Sequence, residues 1–422
     1  MDAVMTILHK ITALPAGVMI ALAILLISLI AGMNFGKSFR AAITIGAGII
    51  GLYAMVGVFG SNIGPAIGAF VQRTGIQLDI ADLGVFTLLM TTWGSPLAIW
   101  FIPVGLAVNI IMLAVRLTKT LDADILNYWT WGITAIVVYA MTHSVILALI
   151  GFALNEILIL LIADWTAPKI QEHYNVEGVS IPHGNAALWP PVGIAMNWLM
   201  ERIPGLKSLN ADPETLAKKF GVIGEPVTIG VVLGALIGIL GGLAWDGVLT
   251  LAVTLAAVML VFPRMINILM EGLRPISEYL RDFMKKRFNR DVNIGLDAAI
   301  LIGYPEVLAV GIVLVPIVVG LALILPGNHV MPLADLAIAT PFLVTMVMPF
   351  CRGNVVRGII AGTIVFAIAL YVAGDLAPAY TAAGAAINLD VPAGTTWTSI
   401  GAGSNWFAWI FYKVLQLLGY SV

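Results

Sequence analysis

The 422-residue sequence predicts an all-α polytopic membrane protein, and three features predict it. Hydrophobic residues make up 60% of the chain and charged residues 10%, the mean hydropathy is +1.01, and apolar runs long enough to cross ~30 Å of hydrocarbon recur from one end to the other.

The runs lie near residues 14–35, 41–70, 95–115, 132–163, 221–245, 247–263, 296–325, 332–350, 358–374 and 398–420. Several exceed one plain crossing, so 41–70 and 132–163 are read as tilted helices or as a helix plus a re-entrant piece, and about ten or eleven crossings are expected. The first run is long enough to remain as a span, and Asp2 accompanies Lys10 before it, so no removable signal peptide is expected. Residues 1–422 form one integral membrane unit on this reading.

Lysine and arginine gather at Lys37/Arg40, Arg116/Lys119, Arg202 to Lys219, Arg264 to Arg290 and Arg352/Arg357, while 291–351 and 358–412 hold none. Those clusters are expected on the cytoplasmic side. The most charged piece, "RPISEYLRDFMKKRFNRD" at 274–291, reads as a positive loop that is also able to meet a soluble partner. Two segments resemble each other: one begins at Gly36 and the other at Gly353, each with G-x-x-x-R followed by an apolar run. Either glycine-rich membrane helices look alike by chance, or the chain is built from two related halves with binding elements between them.

Irregular backbone facing lipid is prohibitive, so polar breaks rich in glycine and proline belong where protein buries them or a wet cavity receives them. Four such breaks occur, at 78–86, 179–191, 221–230 and 293–307. They carry the ionisable residues Glu225, Asp297 and Glu306, which membrane burial marks as functional candidates. Glu225 and Glu306 are read either as helix caps or partners of a buried arginine, or as direct participants; Asp297 is read as functional. In "IPHGNAA", Pro182 and Gly184 flank His183, with Asn185 following. Such a segment offers backbone amides and an imidazole to a hydroxyl-rich ligand, whose C–H edges aromatic faces such as Trp93, Trp129 or Trp189 suit. The alternative for His183 is a loop residue capping a short helix.

Other chemistries find little support. The net charge of −2 gives no reason to expect nucleic acid. "GMNFGKS" at 32–38 is one residue short of a phosphate-binding loop and follows an apolar helix. The five histidines form no H-x-x-x-H pair, and the single cysteine, Cys351, excludes an internal disulfide. No cofactor or metal is expected.

Strings along nearly the whole chain carry a family resemblance: "VNIIMLAVRLTKT" at 108–120, "DADILNYW" at 122–129, "EGVSIPHG" at 177–184, "KKFGVIGEPVTIGVVLG" at 218–234, "AAVMLVFPRM" at 256–265, "IGLDAAILIG" at 294–303, "LPGNHVMPLADLA" at 325–337 and "RGNVVRGIIAG" at 352–362. The sequence resembles the galactitol-type membrane (C) component of the phosphoenolpyruvate-dependent sugar phosphotransferase system, and more distantly the ascorbate-type component. The resemblance implies a sugar-alcohol permease of a bacterial cytoplasmic membrane. Transport would be coupled to phosphorylation by a separate soluble B component bearing a phosphocysteine. It also implies a homodimer of inverted-repeat halves, re-entrant hairpins, and a substrate-carrying domain that moves against a scaffold.

Carried over by position, Asp82, Gly84, Asn127, His183, Gly184 and Asp297 fall in substrate-lining segments; Trp129 and Asn185 are added as substrate-binding candidates from their residue types, and Asp297 is expected to accept from and polarise the hydroxyl to be phosphorylated, with His183 as a second partner or general base. "NYWTWG", "HGNAALWPP" and "IGYPEV" depart from what a galactitol-specific member is expected to show, so galactitol names a class of polyol or sugar. A proton- or sodium-coupled secondary transporter, with Asp297, Glu225 and Glu306 as ion-binding acids, is the alternative.

Overall fold

The computed structural model describes residues 16–74, 78–122, 124, 127–205, 226–288, 292–332, 334, 336–389 and 396–422. Its elements follow in two matching series. The first comprises α1 (Ala16–Ile30), α2 (Phe35–Thr74), β1 (Ile80–Asp82), α3 (Val85–Gly94), α4 (Ala98–Ala114), β2 (Thr120–Asp122), α5 (Asn127–Thr142), α6 (Val145–Tyr174), β3 (Val179–Ser180) and α7 (Pro190–Met200). The second comprises α8 (Pro226–Gly241), α9 (Trp245–Phe288), β4 (Asn293–Gly295), a 3-10 turn (Ala298–Leu301), α10 (Pro305–Ile324), β5 (Val330–Met331), α11 (Leu336–Val344), α12 (Val355–Ala386), β6 (Thr396–Thr398) and α13 (Trp406–Leu417).

The six short strands build two parallel sheets, ordered β5-β1-β6 and β2-β4-β3. Each series therefore lends its first strand to the centre of the other's sheet. β1 pairs Ile80 with Val330 and with Thr396, while β4 pairs Ile294 with Leu121 and with Val179. This exchange interlocks the halves.

The outer edges of such sheets need partners, because an unsatisfied amide in an apolar interior costs several kcal/mol (~2–7). Carboxamide side chains supply them. Asn109 donates to the Thr120 carbonyl at 2.9 Å and accepts from the Asp122 amide at 3.0 Å. Asn328 treats Val330 in the same way, at 3.0 and 3.2 Å, and Gln171 donates to the Val179 carbonyl at 2.9 Å.

α1, α2, α8 and α9 pack together through small residues, the usual way for helices in lipid to approach closely. A Cβ on Gly48 would lie 2.8 Å from the backbone of Leu269, one on Gly272 would lie 2.7 Å from the Ala41 carbonyl, and one on Gly234 would lie 2.7 Å from Ala252 Cα. Gly51 meets Met265 as Ala41 meets Gly272, so α2 and α9 run antiparallel. They occupy the same place in their series, as the halves of an inverted repeat would. The repeat suggested by Gly36 and Gly353 is corrected accordingly: the first segment lies in α2, whose counterpart is α9, and the second begins α12, whose counterpart is α6. Gly/Ala/Ile-rich helices resemble each other by composition.

Four stretches, α6, residues 245–276 of α9, α10 and α12, are each long and apolar enough to cross a membrane among the described residues. α3 and α4, bent by 91° at a short break, form a broken or re-entrant fifth. Apolar run length overstates helix length here, because the runs at 296–325, 332–350 and 398–420 give part of their residues to strands and 3-10 turns. The 41–70 run lies within the single helix α2, whereas 132–163 is divided between α5 and α6. His143, at φ 53°, marks that division, and Ser144 caps α6 by accepting from the Leu147 amide at 3.3 Å. The charged stretch read as a loop from 274 is helical to Phe288, with Leu273 and Ile276 buried on its inner face.

Candidate functional site

A partly open cavity forms where the carboxyl ends of all six strands converge. β2 leads to Trp129, β3 to His183, and β4 to Asp297, Ala299 and Ile302. From the other sheet, β1 leads to Val85, Phe86 and Leu89, β5 to Ile338, Ala339 and Phe342, and β6 to Gly401 and Ala402. Equivalent segments of the two halves thus face each other, but their chemistry differs. The wall from the β2-β4-β3 sheet carries the carboxylate, the imidazole and the indole, and the opposite wall is apolar. A lining of this composition, mostly apolar with a few converging polar groups, is characteristic of small-molecule sites.

Backbone amides hold both polar groups in place. Asp297 precedes the 3-10 turn and caps it, its Oδ1 accepting from the Ala299 amide at 2.7 Å. Its own amide donates to Asp124 Oδ2 at 3.0 Å. The Nδ1 of His183 accepts from the amides of Asn185 at 3.3 Å and Ala186 at 3.2 Å. Two N–H donors on Nδ1 assign the ring proton of neutral His183 to Nε2, so the imidazole presents a donor. Phe342 stands edge-on to the ring, 4.8 Å between centroids.

The remaining residues named from the sequence divide into supports and outsiders. Asp82 does not line the cavity; its carboxylate accepts from the amides of Gly84 at 3.1 Å, Ala334 at 3.2 Å and Ile400 at 3.3 Å, tying β1 to the segments that follow β5 and β6. Gly84, at φ 84°, makes the turn after Asp82, a conformation that glycine adopts freely. Asn127 lies behind the wall and donates to both oxygens of Asp122, at 3.1 and 3.3 Å.

The amide of Gly184 donates to Thr130 Oγ1 at 2.9 Å, and a Cβ there would lie 2.6 Å from that oxygen. Asn185 Nδ2 donates to the Gly401 carbonyl, joining the loops after β3 and β6. Trp129 lines the cavity, whereas Trp93 packs against Phe101 and Trp189 is buried elsewhere. Glu306 sits in the first turn of α10 and pairs with His173 at 3.1 Å, away from the cavity lining. Cys351 is buried. Glu225 lies outside the described residues. Among the described residues no group of three or more His, Cys, Asp or Glu is arranged to hold a metal ion.

Over residues 10–394 the sequence matches the family of sugar-specific permease components of the phosphotransferase system. The chain belongs to that family. It is 36% identical over 408 residues to a putative permease IIC component of Escherichia coli K12, covering 96% of this chain and 93% of the relative. It is 34% identical over 400 residues to the galactitol-specific EIIC component of the same strain, covering 94% and 88%. The galactitol-specific component of Escherichia coli O157:H7 matches to the same extent. A multi-pass membrane, sugar-specific permease component of the phosphotransferase system is what this membership establishes.

Three acids of the permease escape a reading by broken segments. Asp122 and Asp124 stand at the end of β2, and Glu156 stands within α6; all are buried. "DADILNYW" was legible only as a family string, since a short strand between apolar runs has no helical period to betray it. Glu156 did leave a signal, an ionisable residue inside the apolar run "VILALIGFALNEILILL".

Proposed function

We propose that the cavity binds a sugar alcohol of the galactitol type and holds it for phosphorylation during transport. The placement of Asp297 and His183 in one cavity, one as acceptor and the other as donor, carries this reading. A polyol hydroxyl both donates and accepts, so a carboxylate oxygen and an Nε2–H suit neighbouring hydroxyls, while Val85, Phe86, Leu89 and Phe342 suit the carbon face.

In the transfer itself, the substrate hydroxyl oxygen forms a bond to phosphorus as the S–P bond of the phosphocysteine on the separate B component breaks. The electron pair of that bond leaves with the thiolate of B, and the hydroxyl proton passes to the Asp297 carboxylate and then to water. The permease contributes orientation and a proton acceptor, and B contributes the phosphoryl group. The ester produced carries about −1.5 to −2 charges at neutral pH, which prevents its return across the bilayer.

His183 is then a hydrogen-bond donor, and general-base duty falls to Asp297. His183→Phe removes the Nε2 donor and also the Nδ1 acceptor of the Asn185 and Ala186 amides, so it is expected to weaken polyol affinity by at least about tenfold, the worth of one hydrogen bond of ~1–1.5 kcal/mol, and to lower the melting temperature as well. His183→Gln, which retains a donor, restores part of it. Isothermal titration of the purified permease measures both.

The glycine-packed helices α1, α2, α8 and α9 suit a dimerising scaffold, and the strand-bearing remainder suits a body that carries the cavity across the membrane. We read the assembly as a homodimer working in this elevator fashion, in the cytoplasmic membrane of a bacterium. Uptake of labelled polyols into vesicles, with and without phosphorylated B component, tests the function. Label recovered inside as a phosphate ester only when phosphorylated B is present supports it. Free polyol accumulating on a proton or sodium gradient, with B irrelevant, overturns it.

A further inference from the structure

Glu156 is a buried acid that neither substrate binding nor phosphoryl transfer uses. It lies midway along α6, is fully enclosed, and neither carboxyl oxygen has a hydrogen-bond partner among the described residues. On the first turn of α5, the Tyr128 hydroxyl and Asn127 Oδ1 are also buried without a partner among the described residues, as is Oδ1 of Asn155, the residue before Glu156. The Cβ position of Gly105 on α4 would lie 3.1 Å from Tyr128 Cε2 and 3.5 Å from Glu156 Oε2, so ring and carboxyl face the same gap.

The ionisable groups acting on this corner are acids. Asp122 acts on Glu156, and Asp122, Asp124 and Glu156 act on Tyr128. No lysine, arginine or histidine pairs with Glu156 among the described residues. An ionised carboxylate there would have neither counter-charge nor donor, the arrangement an apolar interior tolerates least.

We propose that Glu156 is a proton-binding site: its carboxyl carries a bound proton in this enclosed gap, where neither oxygen meets a donor or a counter-charge among the described residues. The site is joined to the cavity through the first turn of α5. Tyr128 precedes the wall residue Trp129, and Asn127 hangs on Asp122, whose Oδ1 also accepts from the Asp124 amide at 3.1 Å. Asp124 in turn holds the amide of Asp297. A charge appearing on Glu156 would repel Asp122 and pull on that chain, so the site is placed to link proton occupancy to the state of the cavity. The proposal stands whatever ligand the cavity takes.

Infrared spectroscopy of the purified permease in lipid at neutral pH tests it. Wild type is expected to show the carbonyl stretch of a protonated carboxylic acid, shifted in heavy water and absent from Glu156→Gln. If that variant does not fold, Glu156→Asp serves, and the band is expected to move. A band unchanged in either variant overturns the proposal. So does a difference confined to ionised-carboxylate stretches; if those respond to sodium chloride and not to choline chloride, the site holds sodium instead.

Discussion

Asp297→Asn is expected to lower phosphorylation of the substrate by at least about a hundredfold while leaving polyol binding within a few-fold. Positioned proton acceptors contribute roughly 10²–10⁴-fold to rate. A carboxamide keeps the geometry but loses the basicity, since the oxygen that accepts from the Ala299 amide at 2.7 Å is retained and the turn cap survives. Single-turnover formation of the phosphate ester from phosphorylated B component measures the rate, and titration calorimetry measures the binding. A variant that phosphorylates at the wild-type rate would remove Asp297 from the chemistry. One that binds a hundredfold less well and phosphorylates normally at saturation would make it a binding group only. The choice of Asn over Ala matters, because Ala would also leave the Ala299 amide without its acceptor and confound chemistry with folding.

How much of the permease was legible follows from what each element needs from its sequence. The membrane class and the glycine- and proline-broken segments were legible, because lipid punishes exposed irregular backbone and the chain advertises where it must be enclosed. Two of those segments, around His183 and Asp297, do meet in the cavity, and a third, around Asp82, delivers Val85 and Phe86. The strands were not legible. Two or three residues such as Val179–Ser180 or Val330–Met331 are too few to show a period of two, and they form only by pairing with residues far away in sequence. The apolar wall was missed for a related reason. Ile338, Ala339 and Phe342 sit in an apolar run like any other, and only the exchange of strands between halves turns them toward the polar residues. Trp129 was anticipated as an aromatic face, and Trp93 and Trp189, equally aromatic, point elsewhere because neighbouring chain, not residue type, decides which ring reaches the cavity.

Asp82→Ala is expected to destabilise the permease more than Asp297→Asn or His183→Phe, although Asp82 does not line the cavity. Its carboxylate receives three backbone amides from three separate segments, at Gly84, Ala334 and Ile400. Each buried N–H left without an acceptor costs about 1–3 kcal/mol, so the total reaches several kcal/mol (~3–9), at the severe end for a point mutation. The loss falls at the junction between halves: β1 belongs to the first series, and Ala334 and Ile400 to the second. The other sheet solves the same problem from the opposite side, with Asp124 on the flanking segment accepting from the amide of Asp297 after the central strand. Because the acid sits on Asp124 there, the residue after the central strand is free to offer its own carboxylate to the cavity; on the first sheet, where Asp82 is the acceptor, that place is taken by Gly84. The chemical asymmetry of the two walls thus follows where each sheet puts its structural acid. Thermal unfolding in detergent and the yield of monodisperse protein check the prediction. A normal melting temperature together with weakened polyol binding would move Asp82 from the junction to the substrate, and Asp82→Asn, which keeps one acceptor oxygen, is expected to lie between Ala and wild type.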